Sequence, residues 1–306
     1  MSKVVNSRDI IKQLSKNGLQ IGNKATLNYY IRNFNYNTFI HGYSDPFYID
    51  SKNRRYDPEA NSDELINLYT FDRDMANHIL RFILVIEKII NTNVVYEIIN
   101  QYNIRDKCLL KFENKYIQDR ILPNLKNVEP KISYDNFIRK LIKYLPTSSM
   151  TRIYVQKNIH DDVIRWRNCP LDVMCLTWSF ATTFSLFIAL DSSVHNGILN
   201  NFGLQSEHSN GFIDFLKNTL HLRNMISHNN VVFNMNITYQ TPALLEIYFY
   251  IFQKRITQIK LFNMMELIQY FAGAKTLISN TVYYFNKMKI QDKYKAKINF
   301  FDKNND

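Results

Sequence analysis

The chain has 306 residues, 46% of them hydrophobic, and carries a formal charge of +11 at pH 7 from 38 Lys and Arg against 27 Asp and Glu. That length allows one large domain or two small ones with a substantial core, and the charge favours polyanionic partners: RNA, DNA or an anionic membrane. With 7 Gly and 7 Pro and apolar residues recurring at helical spacing, the composition points to an all-α protein with short connections and contains no Gly-rich phosphate loop.

Met1 to Arg8 is polar and lacks the apolar core of a signal peptide, so a cytoplasmic location is expected. Residues 1–60 read as an N-terminal helical arm. Ser7 is placed to cap a helix running to about Lys16, with Gly18 suited to the position after its end. A second helix is predicted over Lys24 to Asn33, and His41 to Phe47 reads as a turn. Two short helices suggest a helix-turn-helix, but Gly18 to Asn23 carries no distinctive pattern, and DNA is not the expected partner.

Residues 61–290 are expected to form the main helical domain. Ser62-Asp63-Glu64 opens a helix with a cap and first-turn acids. The longest periodic stretch then runs from about Phe71 to Gln101, with Ile79, Phe82, Ile83, Ile86, Ile89, Ile90 and Val94 at spacings of three and four. Further helices are predicted at 114–127, 134–145 and 149–158, separated by Pro130 and Pro146. After Pro170 an apolar helix is predicted at 172–190. Its uncharged run Val173 to Leu190 is at the lower limit for spanning a bilayer, is interrupted by Thr and Ser, and reads as a buried core helix. Asn210-Gly211 ends a polar loop before the next helix, and two more helices are predicted over 243–271 and 274–290. Residues 291–306 read as a basic tail; Lys287, Lys289, Lys293, Lys295, Lys297 and Lys303 are either a solvated end or an RNA-contacting arm.

Cys108, Cys169 and Cys175 lack metal-ligand spacing and suit buried thiols. No Asp, Glu and His cluster at ligand spacing stands out either, so neither a cofactor nor a metal is expected.

The chemistry concentrates in Arg223-Asn224-Met225-Ile226-Ser227-His228. Arginine brings a permanent charged fork for phosphate, and histidine a proton donor or acceptor near neutral pH. With 14 Arg and 7 His in the chain, an Arg five positions before some His arises about 0.3 times by chance, so context must support the pair. Leu216, Leu220, Asn224 and His228 are spaced by four, which predicts that Asn224 and His228 extend an apolar ridge toward the interior or an interface. Arg223 and His228 lie about 140° apart on an ideal helix, which a symmetric homodimer would overcome by facing two copies of the element. In the expected chemistry a ribose 2′-hydroxyl attacks the adjacent phosphorus, His228 transfers a proton, Arg223 steadies the non-bridging oxygens and Asn224 orients the imidazole. The alternative is a structural Arg223 and His228, paired with a carboxylate and a carbonyl across a helix interface. His221 is a weaker candidate on the same helix, while His41, His78, His160, His195 and His208 read as surface or satisfied core residues.

Tyr29-Tyr30 through His41-Gly42-Tyr43 and Pro46-Phe47, then Phe71-Asp72-Arg73 with Arg81 and Glu87, then Ser179-Phe180, then Leu222-Arg223-Asn224 with His228 occur in an order that resembles the Abi-like abortive-infection proteins, the AbiD and AbiF group of the HEPN superfamily. The resemblance covers most of residues 15–240. It implies a HEPN-like helical bundle with additional C-terminal helices, and a phage-defence or toxin–antitoxin role through a metal-independent Arg-x4-His ribonuclease formed at a dimer. It further implies a structured noncoding RNA as antitoxin or guide, and similarity to the HEPN halves of type VI RNA-guided CRISPR effectors. Two departures stand out: Val231 where many relatives have an Arg, and Ala181 where they have a Gly. A noncatalytic protein that holds a small structured RNA is the second reading.

Overall fold

A computed structural model of the chain describes residues 6–104 and 106–298, so Lys303 and most of the Met1–Arg8 segment lie outside the described residues. The fold is all-α, relieved by a short antiparallel hairpin that pairs Tyr48–Asp50 with Arg55–Tyr56. The chain divides into two compact units, residues 1–82 with 221–237 and 259–306, and residues 83–220 with 238–258.

In the first unit, helix Ser7–Lys16 is capped by Asn6, one residue earlier than expected, because its side chain accepts the Arg8 amide. Gly18 follows at φ +100, a left-handed conformation in which an added Cβ would press on the Tyr56 carbonyl at 3.2 Å. Helix Lys24–Asn33 begins where the sequence places it, with Asn23 accepting the Thr26 amide at 3.0 Å. The expected turn from His41 to Phe47 follows a wide π-helical stretch, Asn37–His41, and contains a 3-10 turn, Asp45–Phe47.

The long helix Ser62–Gln101 begins nine residues before the strongest periodicity. Asn61 caps it by accepting the Asp63 amide at 2.9 Å, and Glu64 reaches back to the Asn61 amide at 3.2 Å, so two otherwise free donors at the helix start are satisfied. Ser62, the expected cap, instead accepts the Gly22 amide. Further on, helices Leu261–Phe271 and Leu277–Lys287 bury Leu261, Met264, Met265, Leu267, Ile268, Leu277 and Phe285. They replace part of the predicted 243–271 and 274–290 helices.

The C-terminal segment is not a loose tail as far as residue 298. Met288, Ile290, Tyr294 and Ile298 are buried, Tyr294 packs edge-on against Phe47 at 4.9 Å, and Lys293 pairs with Asp57 at 3.2 Å and with Glu59. Four apolar residues at spacings of two to four suffice once a partner surface exists, a long-range condition that local composition does not express.

In the second unit, Ile83, Ile86, Ile90, Val94 and Ile98 from the long helix are all at most 1% exposed. The predicted 134–145 helix stops at Ile142, and the predicted 114–127 and 149–158 helices resolve into short α, π and 3-10 pieces. The predicted 172–190 helix is broken. Leu171–Met174 and a 3-10 turn lead to Trp178 in extended conformation, and Ser179 caps a new helix, Phe180–Ala189, by accepting the Thr182 amide at 3.2 Å. Among the described residues no helix is long and apolar enough to cross a membrane. Helix Pro242–Phe252 is stopped by Gln253 at φ +54.

Candidate active site

Helix Ser209–Ser227 carries the Arg-His element. Its N-terminal half, in the second unit, is anchored by polar contacts: Asn218 accepts the Tyr239 amide at 3.0 Å and donates to its carbonyl at 2.9 Å, and Asp214 accepts the Thr241 hydroxyl at 2.7 Å. Phe212, Phe215, Leu216 and Thr219 form the buried stripe. In the first unit Leu222 and Ile226 continue it. Arg223 stands at its edge, half-buried, whereas Asn224 and His228 are exposed.

Within one chain, Asn224 and His228 do not reach the interior, which leaves the interface as the other half of the expectation. On a helix of about 3.6 residues per turn, each step of four residues advances roughly 40° past a full turn, so Leu216, Leu220, Asn224 and His228 drift about 120° in total. Leu216 is buried, Leu220 half-buried, and the two polar residues emerge into solvent. Their ridge is apolar only at its start.

The helix ends at His228 for a local reason. Asn229 adopts φ +55, its amide donates to the Ile226 carbonyl at 3.0 Å, and the Asn230 amide donates to the Met225 carbonyl at 3.0 Å. This pair of bonds is a Schellman closure with Asn in the left-handed position, and it makes His228 the C-cap residue. The imidazole therefore sits on a fixed turn while its ring makes no hydrogen bond among the described residues.

Arg223 shares a buried, unpartnered Nε with Arg73 and Arg165, but unlike Arg73 it has no carboxylate beside it among the described residues. Its Nη1 lies 3.5 Å from the Asn224 Oδ1, its Nε is buried with no hydrogen-bond partner, and no carboxylate pairs with it among the described residues. A guanidinium with no carboxylate beside it among the described residues has its charge open to an anion. Among the described residues, neither a carboxylate partner of Arg223 nor a carbonyl partner of the His228 ring is present.

The turn after His228 is held by residues remote in sequence. Asp72, on the long helix and fully buried, accepts the Phe233 amide at 2.6 Å, the Val232 amide at 3.1 Å and the Tyr43 hydroxyl at 2.6 Å. Arg73 donates to Asp72 and to the Asn230 carbonyl. Burial, then the neighbouring Asp72 carboxylate, pushes the Tyr43 phenol well above its usual value, which keeps it protonated as a donor. Tyr43 also stacks on Phe233 with centroids 5.7 Å apart, and Gly42 lies so close to Val231 that a Cβ would meet its Cγ2 at 2.5 Å. Sequence reasoning noted Tyr43, Asp72 and Arg73 as parts of a pattern without giving them a role; their convergence needs the fold.

Of the other histidines, His41 faces Arg54 at 3.4 Å, His78 contacts Asn280 at 3.3 Å, His195 bonds the Phe187 carbonyl, and His208 accepts the Gln205 amide at 3.0 Å. His221 and His160 are exposed. Cys108, Cys169 and Cys175 are buried free thiols, raised above the ordinary thiol range first by desolvation, to about 12 for Cys169 and about 11 for Cys175. Among the described residues no group of His, Cys, Asp and Glu could hold a metal ion.

The lysines proposed for RNA separate into two kinds. Lys293 is neutralised by Asp57 and Glu59, Lys295 approaches Asp292 at 3.7 Å, and Lys297 donates to the Tyr48 carbonyl at 3.1 Å. Lys287 and Lys289 have no carboxylate partner among the described residues. They line an open cleft of about 290 Å³ with Tyr284, Asn67, Thr70 and one acid, Asp74, and the Lys287 ammonium rests on the Tyr283 ring at 4.5 Å.

Residues 29–234 match the profile of the Abi-like protein family, about two thirds of the chain. The chain belongs to the Abi-like protein family. The matched span opens at Tyr29 and closes at Asn234, one residue past the last amide held by Asp72. The family region thus contains the whole clamp and the Arg-His element, and leaves out the helices from Pro242 onward. Neither the curated proteins nor the solved structures compared with this Abi-like chain gave a match.

Proposed function

We propose that this Abi-like protein is a HEPN-type endoribonuclease of phage defence, acting in the cytoplasm through Arg223 and His228 as a homodimer and controlled by a structured noncoding RNA. The observation that carries the reading is Arg223: half-buried, without a carboxylate partner among the described residues, on the turn of helix before an exposed imidazole. Cleavage forms a bond between the ribose O2′ and phosphorus as the bond from phosphorus to O5′ breaks. One proton leaves O2′ and another reaches O5′, and two copies of His228 facing across a dimer divide these transfers as base and acid. Arg223 stabilises the charge on the non-bridging oxygens. Exposure of Asn224 and His228 on a single chain is what a site completed by a second chain requires.

The product ends test this directly. Single-stranded RNA incubated with the protein in EDTA is expected to yield 2′,3′-cyclic phosphate and 5′-hydroxyl ends. Ends with a 5′-phosphate, or full dependence on magnesium, would overturn the mechanism. The rival reading, a noncatalytic holder of a small structured RNA, is supported by the cleft that brings the Tyr284 ring, Lys287 and Lys289 to one surface, the pairing of aromatic and basic groups that single-stranded RNA surfaces use. Binding of intact RNA with no cleavage would select it.

A further inference from the structure

We infer that Asp72 and Tyr43 are positioning residues for the cleavage site, fixing with Arg73 the backbone that immediately follows His228. The inference rests on the ribonuclease reading above. An isolated carboxylate is expensive to bury, and replacing a buried ionic group by apolar packing is often neutral or stabilising, so a wholly buried Asp72 calls for more than core stability. Its surroundings are already apolar: Phe233, Val232 and the Tyr43 ring are themselves at most 2% exposed. What the carboxylate adds is direction. Oδ1 receives the Phe233 and Val232 amides, Oδ2 receives the Tyr43 hydroxyl and the Arg73 guanidinium, and both amides belong to residues within five positions of His228.

Arg73 extends the constraint backward. It donates to the carbonyl of Asn230, whose own amide closes the helix on Met225. His228 is thus enclosed between a helix end on one side and an anchored strand of backbone on the other. Its ring has no partner among the described residues to orient it, so the backbone is what sets where the imidazole stands. Proton transfer in a phosphoryl displacement depends on such placement, and a misplacement of about 1 Å lowers a rate on the order of 100-fold.

The test measures kcat and KM for a single-stranded RNA oligonucleotide in EDTA, well below each protein's unfolding temperature, for the wild type, Tyr43→Phe, Asp72→Asn and His228→Ala. Tyr43→Phe deletes one hydroxyl and keeps the ring stack, which guards against the case in which Asp72→Asn fails to fold. Folded Tyr43→Phe and Asp72→Asn are expected to lose roughly 10- to 100-fold in kcat with KM unchanged, and the Val232 and Phe233 amides are expected to exchange with solvent faster. Lowered unfolding temperatures with wild-type kcat, beside an inactive His228→Ala, would overturn the positioning role and leave the nuclease standing. A wild type that cuts no RNA, or a His228→Ala protein as active as the wild type, would overturn the ribonuclease reading and this inference with it.

Discussion

At Gly42 the missing Cβ lets the N-terminal turn lie against the loop beyond His228, because an Ala there would drive into Val231 Cγ2 at 2.5 Å. Valine is branched at Cβ and cannot swing aside cheaply. Gly42→Ala is therefore expected to destabilise the protein by about 1–3 kcal/mol, and adding Val231→Ala is expected to recover most of that, as read from urea unfolding in a double-mutant cycle. Additive losses would mean that the two residues do not press on each other. The same residue scale shows what the sequence could and could not reveal about the site. Arg223 and His228 are visible as letters with the right chemistry, but the buried, unpartnered Nε and the left-handed Asn229 that places His228 are not. The spacing of Leu216, Leu220, Asn224 and His228 does not carry the last two into the interior, because a four-residue repeat drifts off its own face.

Among the elements, the helices with strong periodicity and good caps were legible from sequence: Ser7–Lys16, Lys24–Asn33, the core of Ser62–Gln101 and most of Ser209–Ser227. Breaks inside apolar runs were not. Trp178 leaves the helix to donate its indole N–H to the Leu141 carbonyl at 2.9 Å, and the next residue, Ser179, restarts it. That partner lies 37 positions away. The next helix offers a pH test: His195, on Ser192–Asn201, has its titration lowered by burial, with its bond to the Phe187 carbonyl and nearby Asp191 opposing. In the unfolded chain the imidazole titrates near 6.5, so the folded state binds its proton less readily. The stability from keeping His195 neutral is fully present above that value and is lost as pH falls through the depressed folded one. Urea midpoints measured at pH 7.5 and 5.5 are expected to fall less in His195→Gln than in the wild type; an equal fall would remove His195 from the acid response.

For the molecule as a whole, the net charge of +11 favours a polyanion partner but does not say which cations are available to meet it. The fold withdraws Lys293 into a carboxylate pair and leaves Lys287 and Lys289 beside Tyr284. In RNA-binding titrations at several salt concentrations, Lys287→Ala and Lys289→Ala are each expected to weaken binding and to reduce the magnitude of the slope of log K against log salt by about 0.7. Lys293→Ala is expected to leave both nearly unchanged, and a steeper effect from Lys293 would reverse the sorting of the lysines. Binding alone does not bear on the proposed cleavage, which rests on the guanidinium and imidazole at the end of helix Ser209–Ser227. The most direct measurement is the cleavage rate of a single-stranded RNA in EDTA by the wild type beside Arg223→Ala and His228→Ala, each purified in the same way. The expected result is robust cutting by the wild type and near-complete loss in both variants while RNA is still bound; equal cutting by all three proteins would contradict a catalytic role for Arg223 and His228.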